Sequence, residues 1–341
     1  MSRLLGAARP RTAVIGVGSM GRNHARVYSE MSAVTLEAVA DPDEESLRTV
    51  ASRCRARPYS DYREMLAREP LDLVSVAVPP RLHLQVAEDV IERGINLLVE
   101  KPLAPSVAEA ERIIHLAERR GVLLGVGHVE RFNPVVAALR SRLVEGQLGR
   151  VFQITVRRIG PFPSRVKDVG VFMDLATHDI DVMLHLTGSD VEKVSAESAR
   201  MLHDQHEDLA VGLLRFANGV IGVLIENWLS PTKIREVVVN GERGMLLADF
   251  LTQDLYYFEN NYTESSWNSL QVFRGMAEGN MTRYYLHRDE PLRLELEAFV
   301  RAVTSDSKFP VGGEDGLKVV RVAQLLAAAA SGNVDVAASA S

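Results

Sequence analysis

Apolar residues in the first third of the chain fall into short continuous runs separated by stretches of helical spacing. Thr12–Ile15, Thr35–Ala40, Leu73–Val78, Asn96–Val99 and Leu123–Val126 read as buried strands. Between them, the segment from Gly21 to Met31, Leu84–Arg93 and Val107–Arg120 read as helices, the last two closed by Gly94 and Gly121. Strands without polar alternation, separated by helices, predict an α/β Rossmann unit: a doubly wound parallel sheet that takes its ligand at the strands' C-terminal ends.

That pattern stops near Gly127. Arg131–Val144 reads as a helix, and Val151–Arg158 opens a period-two pattern that returns in Glu192–Ala199, Leu209–Phe216, Val220–Trp228, Ile234–Asn240, Gly244–Ala248 and Leu255–Phe258. Asn218-Gly219 and Asn240-Gly241 are hairpin-type turns. The expectation is an α+β C-terminal domain with a large open antiparallel sheet, whose outer face suits a homodimer or homotetramer. The domains fall at residues 1–128 and 129–341, with Leu292–Val303 and Gly316–Ala330 as closing helices, the second packing back on the first domain. Glu259–Glu290 is polar and irregular and reads as a long surface connection, with a lid or an intersubunit arm as the alternatives, and Ser331–Ser341 reads as a frayed tail.

One helix carries an unusual line of polar residues. In Asp168-Val-Gly-Val-Phe-Met-Asp174-Leu-Ala-Thr-His178-Asp179-Ile-Asp181, spacing of 100° per residue puts Asp174, His178 and Asp181 in one strip, with His185 a turn further on. Phe172, Met173, Leu175, Ala176, Ile180, Val182, Met183, Leu184 and Leu186 cover most of the remainder. The strip is either a solvated face or the wall of a cleft where a carboxylate orients an imidazole for proton transfer. Asp179 points to the apolar side and needs buried partners, so its role is structural.

Composition narrows the class. The 341 residues suit two domains, and 46% hydrophobic with 25% charged residues is ordinary for globular chains. A net charge of −6 argues against nucleic acid as the main partner. A single cysteine, Cys54, excludes an internal disulfide framework and a cysteine-based zinc site; no metal is expected. Without a convincing signal peptide or an apolar run long enough to span a membrane, the expected location is cytoplasmic.

Candidate chemistry begins at Gly16-Val-Gly18-Ser19-Met20-Gly21, which follows a strand and opens a helix. Gly16 permits the tight turn, Gly18 lets the backbone approach a pyrophosphate, and Gly21 allows close helix–strand packing, so this turn faces a dinucleotide through the helix N-terminus. Asp41, ending the second strand, can accept the adenosine ribose hydroxyls and would repel a 2′-phosphate, which favours NAD over NADP. Pro79, His83, Glu100, Lys101 and His128 lie at or beyond other strand ends, on the ligand edge. Pro102 fixes Lys101 there, a suitable place for an active-site cation.

The set GVGSMGRNHA, Asp41, VPPRLH, VEKP and DLATHDID resembles the glucose–fructose oxidoreductase/inositol dehydrogenase/rhizopine-catabolism (Gfo/Idh/MocA) family from Arg11 to about Ala330. GHVERFNP, RRIGPFPSR, DVGVFMDLATHDID and SPTKIRE look like the branch that oxidises UDP-N-acetylglucosamine at carbon 3. The resemblance implies cofactor contacts from Gly16, Gly18, Ser19, Met20, Gly21, Asp41, Pro79, His83, Glu100 and Lys101, with Lys101, Asp174 and His178 catalytic. Pro80 stands where the family commonly has asparagine, which removes a hydrogen bond that residue would offer the cofactor. Substrate contacts would come from Lys101, Arg131, Asn133, Arg158, Arg165, Asp174 and His178, with Lys167 a further phosphate candidate; guanidinium geometry suits a diphosphate. The implied reaction oxidises the 3-hydroxyl of a UDP-sugar with NAD, His178 taking the proton and Lys101 polarising the oxygen, and relatives use either type as base. The 3-keto product would pass to an aminotransferase. The alternatives are UDP-N-acetylglucosaminuronate, inositol or another polyol as substrate, and a non-catalytic NAD-bound regulatory protein.

Overall fold

Continuously apolar strands build the first of two compact units, Met1–Val129 with Glu290–Arg321, in a computed structural model that describes residues 9–163, 169–264, 274–305, 307–332 and 336–337. Strands β1 (Arg11–Ile15), β2 (Thr35–Ala40), β3 (Arg57–Tyr59), β4 (Leu73–Val76), β5 (Asn96–Glu100) and β6 (Leu124–Gly127) form a parallel sheet in the order β3-β2-β1-β4-β5-β6. The order reverses beside β1, between β2 and β4, which is where a doubly wound sheet opens a ligand crevice. Helices α1 (Gly21–Glu30), α2 (Glu44–Cys54), α3 (Tyr62–Arg68), α4 (His83–Ile91) and α5 (Val107–Arg120) belong to the same unit. Val14, Val39, Val74, Leu97, Leu98 and Val126 are fully buried in the strands. Burying each such side chain contributes about 1.5–3 kcal/mol.

The apolar pattern passed over α2, β3 and α3. Their signals are polar: Asp43 and Asp61 cap the two helices by accepting from the Ser46 and Arg63 backbone N–H groups. Strand β3 reads Arg-Pro-Tyr, a short edge strand with no apolar alternation to find.

The second unit, Glu130–Asp289 with Val322–Ser341, holds α6 (Pro134–Val144), β7 (Val151–Ile159), α7 (Thr177–Thr187), β8 (Val191–Ala199), β9 (Leu209–Phe216), β10 (Ile221–Asn227), β11 (Ile234–Gly241), β12 (Gly244–Asp249), β13 (Asp254–Glu264) and β14 (Arg274–Tyr284). Two helices follow, α8 (Pro291–Ser305) in the first unit and α9 (Gly313–Ala330), and then strand β15 (Val336–Ala337). Residues 290–321 thus group by contact with the first unit, although the sequence boundary set them with the second.

A nine-stranded sheet in the order β14-β13-β12-β11-β7-β10-β9-β8-β15 dominates the second unit. It is antiparallel except where β10 runs parallel to β7. One face is buried: β9 turns Ala210, Leu214 and Phe216 inward and Val211 and Leu213 outward.

Three expectations change here. The second hairpin turns at Glu242–Arg243 rather than Asn240–Gly241, because Gly241 still pairs with Gly244. Much of the expected 259–290 connection is a hairpin of β13 and β14. Its strand residues, Asn-Asn-Tyr-Thr-Glu and Gly-Met-Ala-Glu-Gly-Asn, lack the alternation that marks a half-buried strand. The expected tail contributes β15, which pairs with β8.

Candidate active site

Each unit carries a group of candidate residues. In the first, the turn after β1 is shaped by steric necessity. Gly16 has φ 86°, and a Cβ there would lie 2.6 Å from the Ala77 carbonyl oxygen; a Cβ on Gly21 would lie 1.8 Å from the Gly16 carbonyl oxygen. Gly18 is the opposite case, since a Cβ there would meet nothing within 4 Å. No packing contact requires glycine there, and its backbone is open. Gly18 and Ser19 are exposed, Met20 is half-buried, and no side chain caps the N-terminus of α1. That leaves N–H groups at the positive end of the helix for a pyrophosphate.

Asp41 closes this group. Its carboxylate accepts from the Val17 backbone N–H at 2.7 Å and the Asp43 N–H at 2.8 Å, so it is fixed beside the glycine turn, where a ribose would sit. The open backbone at Gly18 and the anchored carboxylate together fit a dinucleotide.

At the end of β5, Glu100 is buried. It accepts from the Lys101 backbone N–H at 3.2 Å and meets His24 Nε2, from α1, at 2.8 Å. The Lys101–Pro102 peptide is cis, and Lys101 is half-buried. Pro79 is exposed beyond β4. His83 needs correction as a cofactor contact. It is fully buried, with Nδ1 2.9 Å from the Pro102 carbonyl and Nε2 2.9 Å from the Val78 carbonyl. Burial pushes its pKa below the ordinary 6.5 against the pull of those carbonyls, and the ring fills the space between the turn after β4 and the Lys101–Pro102 turn, donating to one of the two carbonyls when neutral. His128 is also buried.

In the second unit, the helix that carries Asp174 and His178 starts as a π-helical turn, Phe172–Ala176, that runs into α7. Such turns insert one residue into the helical repeat, which changes the strip read at 100° per residue. Asp174 and His178 remain half-buried, as does His185. Asp181 leaves the strip: it is fully buried and held by Arg131, with Nε at 2.8 Å and Nη2 at 2.6 Å.

This pair removes Arg131 as a diphosphate ligand, since its guanidinium is buried against a carboxylate. Arg158 is corrected for the same reason. At 3% exposure it gives Nε to Asp179 at 2.9 Å and Nη2 to Asp179 at 2.8 Å and Glu130 at 3.1 Å. Asp179 thereby finds the buried partner its position requires. Asn133 is buried as well, capping α6 through Val135 N–H and donating to the Phe250 carbonyl at 3.2 Å. Arg165 and Lys167, like Asp168, lie outside the described residues.

The sequence reading missed Glu130, Glu226, Arg235 and His24. A signal existed for one of them, Glu226, and for the burial of Arg158. In β7, Arg158 shares the inward parity of Ile154 and Val156, and in β10, Glu226 shares that of Leu224; a charge at an inward position announces a buried partner.

Comparison with known proteins decides the class. Residues 10–128 match the family described as "Oxidoreductase family, NAD-binding Rossmann fold", and residues 136–247 match the GFO/IDH/MocA C-terminal domain. The chain belongs to the Gfo/Idh/MocA oxidoreductase family. It is 28% identical to UDP-N-acetylglucosamine 3-dehydrogenase of Acidithiobacillus ferrooxidans over 92% of this chain and 95% of that protein. A solved structure of that enzyme superposes with a TM-score of 0.82 over 95% of this chain and 98% of its own. The chain is also 27% identical to myo-inositol 2-dehydrogenase of Thermotoga maritima, over 90% and 92% of the two chains. GenD2 from gentamicin A biosynthesis, solved in complex with NAD, is 25% identical with a TM-score of 0.83, covering 98% and 97%.

The protein is thus an NAD-binding oxidoreductase with a six-stranded Rossmann unit and a separate, mostly antiparallel unit. Among the described residues, no group of three His, Cys, Asp or Glu is placed to hold a metal ion, and no helix is long and apolar enough to cross a membrane.

Proposed function

We propose that the protein oxidises the 3-hydroxyl of UDP-N-acetylglucosamine to the 3-keto sugar nucleotide. The full-length likeness to the A. ferrooxidans enzyme supports the substrate, and the observation that carries the chemistry is the half-buried Asp174/His178 pair one turn apart on a family oxidoreductase. NAD, when bound, accepts the hydride from carbon 3. Gly18 and its neighbours hold the pyrophosphate, and Asp41 holds the adenosine ribose. His178 takes the hydroxyl proton as the hydride leaves, which avoids building an alkoxide without an acceptor. Lys101 polarises the reacting oxygen and stabilises its developing charge. Asp174 orients the imidazole. The keto product is then a substrate for an aminotransferase that condenses an amine with the ketone.

A polyol such as inositol is a second reading, favoured by one observation: Arg131 and Arg158 are committed to buried carboxylates, so neither offers a guanidinium to a diphosphate. Under either reading the exposed outer face of the large sheet, where Leu213 pairs with Val223 and Val211 with Ile225, serves as a contact between copies in a dimer or tetramer. Incubation with NAD and each candidate, followed by absorbance of the reduced cofactor, tests the substrate. Reduction with UDP-N-acetylglucosamine is expected; reduction with inositol alone would overturn the choice.

A further inference from the structure

Beneath the helix of Asp174 and His178 lies a row of charges, with Glu226 and Arg158 buried and Arg235 half-buried. Three neighbouring strands bring Glu226, Arg158 and Arg235 into direct register: Glu226 of β10 pairs with Arg158 of β7, and Arg158 with Arg235 of β11. Above them, Asp179 of α7 and Glu130 occupy donors of Arg158.

Glu226 is the odd member. It is 1% exposed, and neither carboxyl oxygen meets a hydrogen-bond donor among the described residues. The ionisable groups around it are Asp179 on α7, Arg158 on β7 and Asp174 on the π turn, with Glu130 and Arg235 completing the cluster. Arg158 already serves two carboxylates, so a third ionised one would be buried next to two like charges with no donor of its own. A neutral acid removes that conflict, because its O–H can donate to Asp179. Burial, and then the negative charge of Asp179, hold this carboxyl well above its ordinary 4.5.

We propose that Glu226, as an un-ionised acid bonded to Asp179, is a positioning residue that fixes the π turn and α7 and thereby the aim of Asp174 and His178. Strand β10 packs directly under the π turn, so the row reaches Asp174 without an intermediary. The inference rests on the oxidoreductase reading of that helix. The sign follows from the raised value. The contribution of the neutral group is complete below pH 4.5 and is lost as pH rises through its folded-state pKa, where a new charge faces Asp179 and Asp174.

The test compares full-length wild type, Glu226→Gln and Glu226→Ala. Glutamine keeps the shape and cannot ionise, so E226Q is expected to match wild-type kcat at neutral pH and to retain it at alkaline pH where the wild type declines. E226A is expected to lose about a hundredfold in kcat, the cost of a small misplacement, with KM for NAD unchanged. Two readouts need no substrate: the infrared carbonyl band of a neutral carboxylic acid at pH 7, present in the wild type and absent from E226Q, and the imidazole resonances of His178, displaced in E226A alone. A wild type without the band, an alkaline limb identical in E226Q, or His178 resonances unmoved in E226A would overturn the inference. If the substrate assignment fails instead, no variant forms NADH from UDP-N-acetylglucosamine while the band and the resonances still behave as stated.

Discussion

In the first unit the Gly16–Gly21 turn presents backbone, and Asp41 is held against it by two backbone N–H groups. In the second unit Asp174 and His178 present side chains, standing on a helix whose opposite side is tied to buried Arg158. A backbone surface needs only the right residues to be small. A side-chain surface needs its supporting charges neutralised, so a change several ångströms below it reaches the chemistry. Four sets of variants, and one titration, separate these modes.

The largest effect is expected from the two residues proposed to act on the reacting oxygen. Lys101→Met and His178→Ala should each lower kcat by roughly a thousandfold, within the range of lost acid–base and electrostatic catalysis, while the Kd for NAD by fluorescence titration stays near wild type. Loss of NAD affinity instead would reassign both residues to the cofactor.

Next come the glycines, which should behave differently from each other. Gly21→Ala forces a Cβ into the Gly16 carbonyl and should lower Tm strongly, whereas Gly18→Ala meets no atom and should keep Tm while losing NAD affinity. Equal Tm losses would mean that Gly18 is a packing residue. Arg158→Met probes the other mode. It strands Asp179 and Glu130 in the interior and should cost about 3–5 kcal/mol in urea unfolding. A neutral result would show that the buried carboxylates relax to water.

Asp41→Ala should weaken NAD about tenfold and NADP less, read from the two Kd values, through loss of a charge-assisted hydrogen bond. Equal losses would remove Asp41 from the ribose. The smallest effect is acid-specific. Burial tends to raise the pKa of Asp208, but the N–H groups of Leu202, His203 and Met201 outweigh it and hold the carboxyl below its ordinary 3.8. Its stabilisation is full above that value and lost as pH falls through the lowered one, so Asp208→Asn should flatten the acid limb of the stability curve.

The comparison also explains what could be read in advance. Gly16, Gly18, Gly21 and Asp41 were legible because backbone requirements write themselves as residue types at fixed spacing. Most strands of both sheets were legible as apolar periods, while α2, β3, α3, β15 and the greater part of the β13–β14 hairpin were not, being short or marked by caps and polar residues. In the second unit Asp174 and His178 showed as a strip, but Asp181, Arg131 and Arg158 looked available until burial paired them. The decisive partners, Glu130 and Glu226, lie 28 and 68 residues from Arg158 and meet it only through turn placement and strand register. His83 was misread for a related reason, since its carbonyl partners come from two separate turns.

The most direct test of the central claim follows the hydride itself. UDP-N-acetylglucosamine deuterated at carbon 3 is mixed with NAD and the protein, and the reduced nicotinamide is examined by proton NMR. The account predicts NADH carrying deuterium at carbon 4 together with a 3-keto sugar nucleotide. NADH without deuterium, or no NADH from this substrate, would contradict it.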